Sequence, residues 1–315
     1  MNDRSTSASA SVTSPSTSTN AAASALRFEN VSFSYGRPRK RSGIGSGEKP
    51  GAAASNHTAP LIDGLSLNVP AHELTVLLGS NGCGKSTLLR LADGLLVPQA
   101  GDVTLQPAIT ACVAHTSKGP VRLAELSARS RARAIALLPQ IHRTPSMTVE
   151  QLVMCGRYAH MGPFARPTAA DRRAVASALE EVGIAGLAHH PARHLSGGQR
   201  QTAFLAMALA QQAPILLLDE PTTYLDPRAA LDLMGLLRRL VRDRRLTVLA
   251  VMHDLDLALR CADRAAVMDA GAILDTGTPG ELLQRGTIRQ ALAVDAYRAD
   301  MPQGAAYVFF PAKER

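Results

Sequence analysis

The run GSNGCGKS, from Gly79 to Ser86 and followed by Thr87, is built to hold phosphate. Gly79, Gly82 and Gly84 let the backbone N–H groups of Ser80, Asn81 and Cys83 turn inward toward anionic oxygens. A helix opening at Lys85 would add the partial positive charge of its N-terminus. Lys85 can reach the β and γ phosphates of a nucleotide, and the Ser86 hydroxyl can bind Mg²⁺. The apolar LTVLL at 74–78 gives the loop a strand before it, which a chance glycine turn would lack.

A second run, ILLLDEP at 215–221, ends an apolar strand in acid. That places Asp219 at the carboxyl edge of a sheet, where open α/β sheets bind ligands. Asp219 suits Mg²⁺, held through water, and Glu220 suits a general base that polarises an attacking water. Alone, the run could be a strand closed by an acidic turn. A third run, LSGGQ at 195–199, forms a Ser-Gly-Gly turn opening a helix, which is another anion-binding N-terminus or an ordinary cap.

These runs need a parallel sheet beneath them. ILLLD at 215–219 and LTVLAVM at 246–252 are short and apolar, as buried parallel strands are. Strand and helix alternate along the chain, which predicts an α/β core. Leu26, Phe28 and then Val31, Phe33 and Tyr35 alternate with a change of phase at Glu29–Asn30, which predicts a bulge. Thr168 caps a helix carrying Val175, Leu179 and Val182 at helical spacing. AVMDAGAILDTG at 266–277 reads as a hairpin turning at Ala270–Gly271.

The 315 residues are 46% hydrophobic, enough for a sizeable core. Aromatics make up 3% and Trp is absent, so a stacking surface for single-stranded nucleic acid is not expected. The net charge of +8 owes much to Arg37, Arg39, Lys40, Arg41 and Lys49 in one stretch. That stretch, 37–59, reads as a flexible, solvated insertion. Residues 1–24, rich in Ser, Thr and Ala, cannot offset their ordering entropy and are expected to be disordered. Residues 102–122 are expected to include a second inserted loop. Cys83, Cys112, Cys155 and Cys261 lack metal-type spacing and are expected to be reduced thiols. The N-terminus lacks an apolar signal-type core, and no run approaches the ~18 apolar residues that span a bilayer.

With LSGGQ twenty residues before the Asp219 strand, the chain resembles the ATP-binding subunits of ABC transporters. The resemblance covers about residues 26–311 apart from the two insertions. It implies a P-loop NTPase, RecA-like core with an antiparallel β subdomain and a helical signature subdomain at about 141–200. The ATPase domain would span 25–285, with a C-terminal extension at 286–315. By the same resemblance two copies pair head to tail, and Ser196 and Gly198 of one copy touch the γ-phosphate held by the other. Tyr35 matches the aromatic that stacks on adenine. Gln140, in LLPQ, matches the glutamine that contacts Mg²⁺ and water. Asp226, in TTYLDP, matches the interface aspartate, and His253 matches the switch histidine that contacts the γ-phosphate.

Within the family, GSNGCGKSTLLR at 79–90, GRYAHMGPF at 156–164 and MHDLDLALRCADR at 252–264 are similar to bacterial ferric-siderophore importers, with haem and cobalamin importers nearby. In the family the GRYAHMGPF stretch faces the membrane subunit. The resemblance therefore implies ATP and Mg²⁺ as cofactors, two transmembrane permease subunits, and a periplasmic binding protein acting indirectly. It also implies a peripheral position on the cytoplasmic face of the inner membrane. Ser80 stands where Pro is usual, Thr202 where Arg is usual, and Phe204 where Trp is frequent. A soluble ABC ATPase acting on DNA or ribosomes generally has a long coiled coil or two cassettes, and this chain shows neither. A phosphate-loop kinase would not carry LSGGQ together with His253.

Overall fold

The computed structural model describes residues 23–36, 60–110, 119–140, 144–162, 164–223, 225–302 and 304–312. The N-terminal tail to residue 22 and the insertion at 37–59 lie outside them.

The chain opens with β1 (Ser24–Phe33), β2 (Ile62–Pro70) and β3 (Leu74–Gly79), followed by α1 (Lys85–Ala92). Next come β4 (Ala100–Leu105), the short α2 (Pro107–Thr110) and β5 (Val121–Arg122). Then α3 (Ala128–Ala134) leads directly into β6 (Ile135–Leu138). A helical stretch follows: α4 (Val149–Met154), α5 (Ala169–Glu181) and α6 (Gly197–Ala210). The core resumes with β7 (Ile215–Asp219), α7 (Pro227–Arg244), β8 (Thr247–Val251) and α8 (Leu255–Cys261). The chain closes with β9 (Arg264–Asp269), β10 (Ala272–Gly277), α9 (Pro279–Gln284), α10 (Thr287–Leu292), β11 (Val294–Met301) and β12 (Gly304–Pro311).

The main sheet has the order β10-β9-β3-β8-β7-β6, parallel except for β10. Its five parallel strands are largely buried on both faces, so they read as apolar runs. Alternation still sorts the side chains. Leu216, Leu218, Val248 and Ala250 enter one core with α4–α7. Ile215, Leu217, Leu249 and Val251 enter a second core shared with β1, β2 and α1. A separate antiparallel sheet, β2-β1-β4-β5, packs on that second core.

Several local expectations meet their structure here. Asn30 has φ 49°, and the β1–β2 register slips between Phe28 and Val31, where the apolar phase changes. Thr168 caps α5 in a reciprocal box with Asp171. Ala270 and Gly271 both have positive φ in the β9–β10 turn, as a two-residue hairpin of this hand requires.

The expected loop from residue 102 is a correction. Asp102–Leu105 is the end of β4, pairing with β1 at Leu26↔Leu105, and β5 takes up Val121–Arg122. Of that stretch only 111–118 lies outside the described residues. The sheet also begins two residues before Leu26, with Ser24 opposite Pro70. Beyond the core, β11 and β12 form a hairpin docked on α8, where the Tyr307 N–H donates to Asp256 Oδ1 at 2.7 Å. No helix among the described residues is long and apolar enough to cross a membrane.

Candidate active site

Four parallel strands end at one edge of the main sheet, and each delivers part of the site. β3 runs out at Gly79 into the loop before α1. Gly84 takes the N-cap of α1 with φ 107°, a conformation that a side chain would strain. Lys85 is 6% exposed, and its Nζ donates to the carbonyls of Gly79 and Ser80, each at 2.8 Å. The ammonium is thereby held across the mouth of the loop, beside exposed Asn81 and Gly82. Ser80 Oγ reaches Asp269 Oδ1 at 3.3 Å. Cys83 Sγ lies 4.0 Å from Lys85 Nζ; burial pushes its thiol up, and the neighbouring ammonium opposes this. Cys83, Cys155 and Cys261 are free thiols, and Cys112 lies outside the described residues.

β7 ends in Asp219, buried at 6% exposure, whose Oδ1 accepts from Ser86 Oγ at 3.0 Å. Burial raises the Asp219 carboxyl above its ordinary range, and the Ser86 hydroxyl opposes this. Glu220 follows in a left-handed conformation, φ 52°, with its N–H on Val251 O at 3.0 Å. This backbone turns the carboxylate into the cleft. Oε2 accepts from Gln140 Nε2 at 2.5 Å and from Thr223 Oγ1 at 3.1 Å, and Oε1 lies 2.5 Å from His253 Nε2. Gln140 comes from the end of β6 and His253 from the end of β8. Thr223 was missed in the sequence, where a hydroxyl inside a Thr-Thr pair carries no distinguishing mark.

Tyr35 follows β1. It is 58% exposed, its hydroxyl lies 3.1 Å from Thr87 Oγ1, and Phe33 packs edge-on at 5.0 Å. The ring thus stands at the rim of the loop's helix, held at its polar end. A cleft of about 210 Å³ joins Asn81, Lys85, Ser86, Thr87, Glu220 and His253.

Ser196, Gly198 and Asp226 are not in that cleft. Ser196 caps α6 in a reciprocal box: its Oγ accepts from the Gln199 N–H at 3.3 Å, and its N–H donates to Gln199 Oε1 at 3.1 Å. Asp226 caps α7 by accepting from the Ala229 N–H at 3.0 Å. Thr202 turns back on its own helix, donating to Gly198 O at 2.9 Å. Phe204 is buried in α6 at 5% exposure. Ser196, Gly198 and Asp226 line a second cleft of about 450 Å³ that shares no residue with the first.

The donor set fits Mg²⁺. Ser86 and Asp219 supply hard oxygen atoms, and the carboxylate is buried beside the hydroxyl. Among the described residues no group of three or more His, Cys, Asp or Glu could cage a metal. That suits an ion bound by one carboxylate, water and substrate phosphates.

A parallel sheet with a phosphate loop between β3 and α1, and an acid pair at the end of β7, with β8 between the two strands, defines a P-loop NTPase. The ABC transporter family model matches residues 62–223. The chain is 38% identical over 237 residues to the iron(3+)-hydroxamate import ATP-binding protein FhuC of Bacillus subtilis (strain 168), covering 75% of this chain and 83% of that one. It is 38% identical over 241 residues to the ferric enterobactin transport ATP-binding protein FepC of Escherichia coli (strain K12), covering 76% and 84%. Its fold matches cbiO1 from Clostridium perfringens, part of the ABC transporter complex cbiONQ, with a TM-score of 0.65 and 26% identity over 86% of this chain and 96% of that one. The chain belongs to the ATP-binding subunits of the ABC transporter family, whose activity is ATP hydrolysis.

Proposed function

We propose that this chain energises uptake of a ferric siderophore, as a head-to-tail pair of copies beneath two transmembrane permease subunits. A periplasmic binding protein supplies the cargo and does not touch this chain. The observation that carries the dimer is the separation of the two clefts: the phosphate-loop side holds Lys85, Ser86, Asp219 and Glu220, while Ser196, Gly198 and Asp226 line the other. Two helix N-termini suited to anions thus face different spaces in one chain, and a second copy turned end for end lets each complete the other.

Each residue then has a task. The loop N–H groups and Lys85 bind and orient the β and γ phosphates, while Tyr35 and Thr87 border the adenine side. Ser86, Asp219 and Gln140 would hold Mg²⁺, which would supply neutralisation of phosphate charge. Glu220 accepts a hydrogen bond from the attacking water and takes its proton as the new O–P bond to the γ-phosphorus forms and the bond to the bridging β-phosphate oxygen breaks, releasing ADP and phosphate. Gln140 and His253 aim that carboxylate from two sides, and His253 also contacts the γ-phosphate. The partner's Ser196 and Gly198 close over the same phosphate, so hydrolysis waits for pairing.

The siderophore assignment is supported by the names of the relatives. Docking beneath a permease is supported by Tyr158 and Phe164, which project from the helical stretch at 64% and 106% exposure. With such a partner, the chain sits on the cytoplasmic face of the inner membrane. The test is uptake: a deletion strain under iron limitation should lose growth on one added ferric siderophore and regain it with this gene. Growth unaffected by the deletion on every siderophore tried, with uptake of haem or cobalamin lost instead, would redirect the cargo.

A further inference from the structure

The turn Cys155–Ala159, between α4 and α5, is tied to three elements at once. Arg157 within it is 6% exposed, although it carries a full charge. Its Nε meets Asp171 Oδ1 at 3.0 Å, and its Nη1 donates to Ala210 O at 2.7 Å and to Gln212 Oε1 at 2.8 Å. Asp171 is fixed in turn by the Thr168 hydroxyl at 2.6 Å and the Thr168 N–H at 3.0 Å. These two bonds first, and Arg157 after them, hold its carboxyl down at about 2. Beside this pair, His160 Nε2 lies 2.8 Å from Gln211 O. Gly156 is pressed so closely on α6 that a Cβ there would lie 2.1 Å from Met207 O.

The same turn is held from its other side by the helix before β6. Arg133 Nε donates to Ala159 O at 3.0 Å, and Arg129 donates to Met161 O. Gln211 bridges directly, with its Nε2 donating to Ile135 O at 2.7 Å and to Ala132 O. The joint therefore gathers the C-terminal end of α6 and the first residue of β6. The far ends of those elements carry Ser196 and Gly198 in one case and Gln140 in the other.

An apolar cluster could hold three elements together without the cost of burying a guanidinium, which amounts to several kcal/mol before pairing. A planar fork bonded in fixed directions adds orientation, which apolar packing supplies poorly. The helix α6 spans 14 residues, a rod of about 21 Å, so a small tilt at one end displaces the other. We propose that Arg157 is a positioning residue that locks the C-terminal end of α6 to the turn at 155–161, while Gln211 ties the same end to the start of β6, and that together they aim Ser196 and Gly198 at the partner copy's nucleotide. The inference rests on the head-to-tail reading above.

The test separates aim from nucleotide binding, which belongs to a cleft that these residues do not line. Arg157→Lys keeps the charge but loses the fork. Gln211→Ala removes a half-buried amide and leaves the ion pair intact, so it serves if the first variant folds poorly. Each is measured as the full chain for ATP Kd, kcat and melting, and again on a Glu220→Gln background for the dimer formed with ATP and Mg²⁺. The expected result is ATP Kd within about twofold, with kcat and dimer yield down at least about tenfold. Unchanged kcat and dimer yield in both variants would overturn the proposal, as would ATP affinity and melting temperature falling in step with kcat. If Glu220→Gln alone forms no ATP-dependent dimer, the head-to-tail reading itself fails and takes this inference with it.

Discussion

Glu220 and His253 meet at 2.5 Å, Oε1 to Nε2, across the ends of two neighbouring parallel strands. The contact fixes one oxygen of the carboxylate while Gln140 and Thr223 take the other. A carboxylate held by three side chains has one orientation to offer. Glu220→Gln preserves size and most of these bonds but cannot accept a proton. Its kcat should fall by about 10²–10⁴, with ATP Kd nearly unchanged and an ATP-bound dimer accumulating on gel filtration. Near-normal turnover would remove Glu220 from the role of base.

His253→Ala leaves the carboxylate supported on one side only. Loss of aim costs less than loss of the base, so kcat should fall by about 10- to 100-fold. The Glu220→Gln, His253→Ala double variant should be little slower than Glu220→Gln alone, because the two residues act as one unit. Additive losses in steady-state kinetics would show independent roles.

On the head-to-tail reading proposed above, Ser196 has two tasks that substitution can separate. Ser196→Ala removes the cap of α6 and should cost about 1 kcal/mol in urea unfolding. Ser196→Asp keeps a capping oxygen, so stability should hold, but it sets a negative charge where the partner's γ-phosphate must approach. Hydrolysis should then fall further in Ser196→Asp than in Ser196→Ala, while one chain still binds ATP. Equal activity in both variants would detach Ser196 from the nucleotide.

Asp93, where α1 ends, is pushed up to about 6 by burial, with Arg131 pulling the other way. The folded chain therefore binds this proton more tightly than the unfolded chain does. The resulting stability is fully present below about pH 4 and is lost as pH rises through 6. Asp93→Asn should be more stable than the parent at pH 8 by about 3 kcal/mol, and the gap should close toward pH 4. A gap that does not change between urea titrations at pH 4.5 and pH 8 would contradict this.

Local signals in the sequence were legible where the chemistry is local. The glycines before Lys85, the acid closing β7, the cap at Thr168 and the turn at Ala270–Gly271 are each decided within a few residues. What could not be read is decided at a distance. Asp102–Leu105 is a strand because β1, more than seventy residues earlier, offers it an edge. Arg157 and Asp171 carry no local signal that joins them, and their pairing is completed by the C-terminal end of α6, whose Ala210 carbonyl accepts from Arg157. The contacts of Gln140 and His253 with Glu220 depend on the ordering of strands in the sheet, which no single segment encodes.

The two clefts of one chain have nothing in common, and this has a genetic meaning. If each working centre borrows half its parts from a second molecule, a chain defective at Lys85 and a chain defective at Ser196 are not equivalent failures. Paired together, they rebuild one intact centre out of two. Cells carrying both broken alleles could then keep part of an activity that neither allele supports alone, while an excess of either would poison the normal copy.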